Sequence, residues 1–223
     1  MEYRVLVGTC GEPHREFLAS LVGLIVDFSE NGQGGDVHRL GLSIQRGSIL
    51  PQLRHKIVRK ALEIESTHIL FADSDQDFPP YTLRALLSHR LPVVGANIAT
   101  KILPSIPTAR LKSGHSGVPL YPGGNGVIKV WRLGLGLVLV ETEVFRKIDP
   151  PWFEVRYEPE IDDFMGEDWF FMSRLEAAGI GVYVDQDLSA EVGHWGELRY
   201  GLELANIGTE DIISKCRKSL KLG

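Results

Sequence analysis

The apolar positions of the first hundred residues switch repeatedly between a strand-like and a helical period. "YRVLVG", residues 3–8, is a short apolar run of strand type. From Pro13 to Phe28 the apolar residues Phe17, Leu18, Leu21, Val22, Leu24, Ile25 and Phe28 instead recur at helical spacing. "ENGQGGD" follows as a turn, because Asn and Gly adopt positive φ at little cost, and "VHRLGLS" reads as a second strand. A long amphipathic helix is predicted over residues 48–65, with Leu53, Ile57, Val58, Ala61, Leu62 and Ile64 on its buried side and Pro51 in its first turn.

"THILFA" is an unbroken apolar run, as expected of a strand buried on both faces near the centre of a parallel sheet. "PPYTLRALLSH" opens on proline as many helices do, and "LPVVGAN" reads as a fourth strand. Such alternation predicts an α/β sheet with helices on both faces, whose ligands bind beyond the carboxyl ends of the strands. The second half changes character. Residues 97–126 are rich in Pro, Gly and Ser and lack periodicity, a length of irregular chain that points to a functional loop. "VIKVWRLGLGLVLVE" then predicts two short strands around a Gly-x-Gly bend. "EDWFFMSRLEAAG" reads as a helix stopped by glycine, "IGVYVD" as a strand and "LSAEVGHW" as a further extended stretch. With no linker or repeat between them, the two halves are expected to share one continuous sheet.

Composition narrows the function. A hydrophobic content of 43% and a charged content of 24% over 223 residues are those of a globular protein with one substantial core. No apolar window is long enough to span a bilayer, and the N-terminal sequence begins in strand-like residues rather than a secretory signal. Cys10 and Cys216, far apart and outside any metal-ligand spacing, fit a reducing, cytoplasmic setting. The net charge of -5 argues against a large phosphate footprint on nucleic acid. "RHKIVRK" (54–60) and "KCRKSLK" (215–221) are basic, and both read as solvated helix faces.

The chemistry concentrates at three places. Asp73, Asp75 and Asp77 occupy alternate positions directly after the third strand. Two of them converging in a turn would give hard oxygen donors for Mg2+ or Mn2+, with substrate phosphates completing the shell. An acidic turn that also caps the following helix explains the motif equally well, and Asp77 before Phe78-Pro79-Pro80 suits the capping role. Glu167 and Asp168 open a helix, where negative charge is favoured whatever its purpose, and His194 stands between glycines after a strand. There is no G-x-x-x-x-G-K-[ST] phosphate loop, and "GTCGEP" is not a dinucleotide fingerprint.

Taken together, "ALEIESTHILFADSDQDFPPYTLRALL", "VVGANIATK", "LGLGLVLVETEVFRKI", "PWF", "GEDWFFMSRLEAAGIGVYVD" and "VGHWG" resemble, in order and spacing, the GT-A glycosyltransferases, in particular small family-two-like members of bacteria and phages. The resemblance spans nearly the whole chain. It implies an α/β GT-A fold in which a Rossmann-like nucleotide-sugar-binding half over residues 1–100 and an acceptor-binding, catalytic half over residues 101–223 are fused through one central mixed sheet. It further implies a donor that is a UDP- or GDP-linked sugar, bound with Mn2+ or Mg2+. Asp73, Ser74 and Asp75 match the D-x-D that meets metal and diphosphate, and His194 matches a C-terminal metal ligand. Glu167 and Asp168 match the E-D pair, with Asp168 as the general base of an inverting transfer.

Further donor contacts are expected from Arg54, which keeps the arginine of a family segment while His55 departs from it, and from Thr9 and Gly11 after the first strand. Gly134 and Gly136 either let backbone approach the sugar or only form a bend, and Lys101 is placed to meet phosphate or acceptor. Trp152, beside two prolines, is a candidate sugar platform among tryptophans of the core or rim. A nucleotidyltransferase lacks support because the first loop carries no glycine- and lysine-rich phosphate site. A non-catalytic sugar-nucleotide or glycan-binding domain leaves the joint presence of D-x-D and E-D unexplained. The acceptor stays open among a glycan, a protein, a small molecule and a hydroxymethylated base in phage DNA.

Overall fold

A computed structural model describes residues 2–31, 39–114, 117–160 and 162–206. In chain order β1 (Arg4–Cys10), α1 (Arg15–Asn31), β2 (Arg39–Gln45), α2 (Leu50–Glu63) and β3 (His68–Ala72) realise the predicted alternation. β4 (Gln76–Asp77), α3 (Thr82–Ser88) and β5 (Val93–Gly95) complete the first half. The long loop holds only the small hairpin of β6 (Arg110–Leu111) and β7 (Val118–Pro119). Then come β8 (Val127–Val130), β9 (Leu137–Glu141), α4 (Thr142–Lys147), and a hairpin of β10 (Arg156–Glu158) and β11 (Asp163–Met165). α5 (Glu167–Ala177), β12 (Val182–Asp185), α6 (Gln186–Ser189), β13 (Gly193–Trp195) and β14 (Arg199–Gly201) follow, ending in a 3-10 turn, Leu202–Asn206. The predicted "ENGQGGD" turn and the "KCRKSLK" segment with Cys216 lie wholly or largely outside the described residues.

Seven strands form one sheet in the order β2-β1-β3-β9-β5-β12-β8, so strands of both halves share it. β9 runs antiparallel to β3 and β5, and β8 antiparallel to β12. The sheet is therefore mixed rather than purely parallel, and β8 and β9 are not a hairpin. The Gly-x-Gly segment carries the chain from the sheet edge to its centre. Alternation along β1 explains the two cores: Val5 and Val7 pack with Phe17, Leu21, Leu24 and Phe28 of α1, while Leu6 packs with Ile57, Val58 and Ala61 of α2. The apolar pattern of α1 is wider than its contact, since Leu18, Val22 and Ile25 stay exposed.

Three expectations change. The stretch "LSAEVGHW" is not extended throughout, because Leu188 and Ser189 belong to the short helix α6. Asp77 does not cap α3, which starts at Thr82; it sits in β4 and accepts from Arg199 Nε at 3.2 and 3.0 Å. Trp152 is buried, with Nε1 donating to the Ile148 carbonyl, so it is a core residue rather than a sugar platform. Pro51, as expected, occupies the first turn of α2.

The crossing of β5 and β9 leaves no room for a side chain at Gly95, where a Cβ would stand 2.5 Å from the Leu137 carbonyl oxygen and 3.0 Å from the Val138 Cα. Backbone on both sides cannot yield to it. Gly95→Ala is expected to cost about 2–3 kcal/mol, read as a lowered urea midpoint with unchanged m-value.

Candidate active site

β3 ends at Ala72, and the chain turns at once: Asp73 N donates to the Gly136 carbonyl at 2.8 Å and Gln76 N to the Asp73 carbonyl at 3.1 Å. That tight turn sends the two carboxylates of the Asp73-Ser74-Asp75 stretch to different partners. β4 then pairs antiparallel with β13, setting His194 opposite Gln76, and Trp195 N donates to the Asp75 carbonyl at 2.7 Å. Backbone pairing thus brings the acidic turn and the histidine stretch together, although they are far apart in the sequence.

Arg54 occupies the centre. Its side chain is only 4% exposed, lies over the Phe71 ring, and forks between two elements: Nη2 donates to Asp73 Oδ1 at 3.1 Å and Nε to Glu167 Oε1 at 3.2 Å. The basic segment on α2 is therefore not a solvated face at this position. Through these two bonds Arg54 ties the acidic turn to the start of α5. Burial, opposed by the arginine's charge, raises the pKa of Asp73.

Asp75 points the other way. Its carboxylate takes the Lys101 ammonium on Oδ2, and His194 Nε2 stands 3.4 Å from Oδ1. Burial pushes this carboxyl up, but hydrogen bonds from His194 and Lys101 outweigh it and hold the pKa at about 2. His194 Nδ1 lies 2.9 Å from the Ala99 carbonyl, which can only accept. Nδ1 therefore carries a proton and donates to that carbonyl, which leaves Nε2 as the ring nitrogen that faces Asp75.

The metal triad expected from the sequence is brought together only in part. Asp75 and His194 meet, Asp73 is engaged by Arg54, and among the described residues no three His, Cys, Asp or Glu groups converge on one point. Two donors of this kind suit a hard divalent ion that completes its shell with water and phosphate. The local charge fits the same group. Asp73, Asp75, Glu167 and Asp168 are four carboxylates against Arg54 and Lys101, so a bound diphosphate needs added positive charge. Gln76 Oε1 and Trp195 Nε1, each adjoining one of the two donors in sequence, are buried without a hydrogen-bond partner among the described residues, polar atoms still to be satisfied at this place.

Asp168 lies in the first turn of α5, whose N-cap is Gly166. A Cβ on Gly166 would stand 2.9 Å from Asp168 Oδ1, so the bare glycine is what admits the carboxylate, which accepts from Trp169 N at 2.7 Å. Burial first, and then the charge of Glu167, raise the Asp168 pKa to about 6 against the opposing Trp169 N–H and Arg54. Asp168 lines a cleft of about 480 Å3, whereas Glu167 is held by Arg54 and acts as its partner. The cleft walls include Trp131, Trp169 and Phe164. The sequence singled out none of these as a binding residue, and an exposed aromatic on a two-strand hairpin leaves no periodic signal.

The remaining candidates divide. Gly11, at φ +94°, packs on the acidic turn, where a Cβ would come 3.1 Å from Ser74 Oγ, and His14 N donates to the Ser74 carbonyl at 2.8 Å. Gly136 also abuts the turn, a Cβ there lying 3.5 Å from Asp73 Oδ2. Thr9 is buried within β1, at 1% exposure, and Gly134 packs against Thr108, so neither faces open space beside the turn.

No protein-family model matches the sequence, and no curated protein matches it. Solved structures do. A197 from STIV superposes with a TM-score of 0.54 at 18% identity, covering 86% of this chain and 86% of that one. The catalytic domain of Drosophila β1,4-galactosyltransferase 7, solved with xylobiose, gives 0.49 at 15% identity over 83% of this chain and 66% of that one. S. aureus TarS gives 0.45 at 16% identity over 84% of this chain and 35% of that one. The mixed α/β class with one central sheet, expected from the sequence, is the one observed, and solved glycosyltransferases are among its structural neighbours.

Removing the arginine leaves two half-buried carboxylates, Asp73 and Glu167, without their cation. Arg54→Met is expected to destabilise the protein by about 3–5 kcal/mol in chemical denaturation. Arg54→Lys should restore only part of that loss, because a single ammonium cannot reproduce the planar two-ended fork.

Proposed function

We propose that the protein is a glycosyltransferase, moving a sugar from a UDP- or GDP-linked donor to an acceptor hydroxyl. The observation that carries this reading is that one buried arginine, ion-paired to Asp73 and Glu167, holds together the turn that carries Asp75 beside His194 and the helix start that carries Asp168, a carboxylate of raised pKa. The alternative of a non-catalytic binding domain gives Asp168 no reason to be buried beside other carboxylates.

Asp75 and His194 would hold the ion, with Asp73 and Ser74 completing the turn that presents them. Mn2+ or Mg2+ bound there supplies Lewis-acid stabilisation of the negative charge that builds on the departing diphosphate. Lys101 adds a second cation on the same side. Asp168 accepts the proton of the acceptor hydroxyl as the new C–O bond forms and the donor's anomeric C–O bond breaks, its electron pair leaving with the diphosphate. One base and no covalent sugar intermediate give inversion at the anomeric carbon. Glu167 does not serve as a second base here: held by Arg54, it anchors the first turn of α5 from which Asp168 projects. Residues 1–100 on this reading carry the donor, and residues 101–223 the base and the acceptor walls.

Two outcomes test it. With Mn2+ and a panel of UDP- and GDP-sugars, Asp168→Asn should keep the donor-induced thermal shift while transfer falls about 100-fold or more, and wild-type kcat/KM should rise with pH through about 6 as Asp168 ionises. A panel in which no donor binds with metal, or an Asp168→Asn protein that still transfers, overturns the reading. Lys101 competes with an incoming ion for Asp75, so Lys101→Met should tighten Mn2+ binding without nucleotide by about tenfold, measured by the EPR signal of free Mn2+. Unchanged or weaker binding would show that Lys101 does not hold the ion's place.

A further inference from the structure

Helix α1 is apolar around more of its circumference than the fold uses. Phe17, Leu21, Leu24 and Phe28 point down onto the sheet. Ser20 accepts from Phe78 N, Gly23 abuts Pro80 and Asp27 pairs with Arg84, so that flank is turned toward β4 and α3. At about 100° per residue, Leu18, Val22 and Ile25 fall on the opposite flank and Val26 on the crest. All four are exposed, Val22 to 60%. With α3 packed on β9, the exposed flank of α1 faces the other way along the sheet, toward its last strand, β2. Leu40 and Leu42, in register with Val5 and Val7 of β1, continue the face that α1 covers, and Leu42 and Ile44 are themselves exposed. A helix apolar on most sides belongs inside a larger core, and here half of that core is missing.

The edge of β2 carries a second, independent sign. Among the described residues no strand pairs with its outer side. It matches β1 over all seven residues without a bulge, contains no proline, and has Arg39 at its first position as its single charge. Exposed edges are normally blunted by charges, prolines or bulges, and this one is not. Arg39 N donates to the Tyr3 carbonyl and the Gln45 carbonyl accepts from Gly11 N, so odd-numbered residues turn their backbone to β1. Leu40, Leu42 and Ile44 therefore present their N–H and C=O groups to the free edge.

We propose that this face binds a second copy of the chain, with β2 pairing antiparallel to β2 of the other copy about a two-fold axis at Leu42. The strand is complementary to itself in that register. Leu42 meets Leu42, Leu40 meets Ile44 on the α1 side of the sheet, and Gly41 meets Ser43 on the other. Arg39 stands opposite Gln45, so no like charges are opposed. The three outward-facing residues of each strand exchange about six backbone hydrogen bonds. Strands spaced about 4.8 Å apart set β1 and its copy about 14 Å apart, so helices about 10–12 Å wide above them meet over Leu42 through Leu18, Val22 and Ile25. Six half-exposed apolar residues present on the order of 400–500 Å2, and with the strand edge and rim the face approaches the roughly 800 Å2 per partner of a stable dimer. An anionic lipid surface fits less well, because α1 carries Glu16, Asp27 and Glu30 against Arg15 alone. The pairing turns the acidic turns toward opposite ends of the joined sheet, and it does not depend on the proposed function.

Sedimentation equilibrium of the full chain, combined with residue-resolved amide exchange by NMR, tests this. The wild type should sediment at twice the 24.8 kDa of one chain. Leu42→Lys, which sets two ammonium groups face to face, and Val22→Glu should each raise the dimer dissociation constant at least about tenfold. Val127→Lys, on β8 at the opposite edge of the sheet, should leave it unchanged. In the dimer the amides of Leu40, Leu42 and Ile44 should exchange slowly, and at least about tenfold faster in Leu42→Lys, while those of Gly41 and Ser43, bonded to β1, stay protected in both. Retained protection of Gly41 and Ser43 also shows that the variant is folded. A wild type monomeric at about 100 μM overturns the proposal, as does a dimer that survives both substitutions. Slow exchange at Leu40, Leu42 and Ile44 in a monomer would mean that the chain covers its own edge, and overturns it too. So does a monomer that co-sediments with phosphatidylglycerol vesicles and loses that binding in Val22→Glu.

Discussion

A buried guanidinium is expensive unless every charge near it is matched, and Arg54 is matched by carboxylates from two distant elements at once. Asp73 comes from the turn after β3, Glu167 from the first turn of α5, and the arginine itself from the middle of α2. None of the three positions tolerates displacement without exposing a charge to the Phe71 cluster beneath, where Phe71, Phe145, Phe153 and Phe171 pack ring on ring. The fork therefore fixes the geometry of the site as well as the join between two layers.

The same fork explains why neighbouring carboxylates behave differently. Asp73 and Asp75 are two residues apart, yet the turn closed by Gln76 N sends one inward to Arg54 and the other outward to Lys101 and His194. One is tied to a buried cation, and the other lies between a lysine and a histidine. At α5 the division repeats. Glu167 takes the arginine, and Asp168, crowded by that charge and by burial, becomes the carboxylate that holds its proton up to about pH 6. In each of these two acidic pairs, a single cation engages one carboxylate and leaves the other to different neighbours.

Much of this was legible in the sequence because periodic signals reflect burial. The alternating elements of residues 3–95, the proline in the first turn of α2, and the convergence of the acidic turn with the E-D and histidine stretches follow from pattern and resemblance. What escaped has physical causes. The basic run at 54–60 looked solvated, since charge says nothing about the partners waiting across the fold, yet Arg54 is buried. Asp77 looked like a helix cap, but the proline pair delays α3 to Thr82 and frees the carboxylate for Arg199. The position of β9 at the sheet centre, far from β8, is topological and carries no local signature. The β10–β11 hairpin beside the cleft is too brief for any period to register.

The proposed chemistry requires Asp75 and His194 jointly to grip an ion that meets the donor's phosphates. Pulsed EPR of Mn2+ bound to the full chain with a nucleoside diphosphate reads this directly, through the hyperfine coupling of a ligating histidine nitrogen. The account predicts one such nitrogen coupling, abolished by His194→Ala, together with phosphorus coupling from the nucleotide. Mn2+ bound with phosphorus but no nitrogen coupling, or a nitrogen coupling that survives His194→Ala, would contradict it.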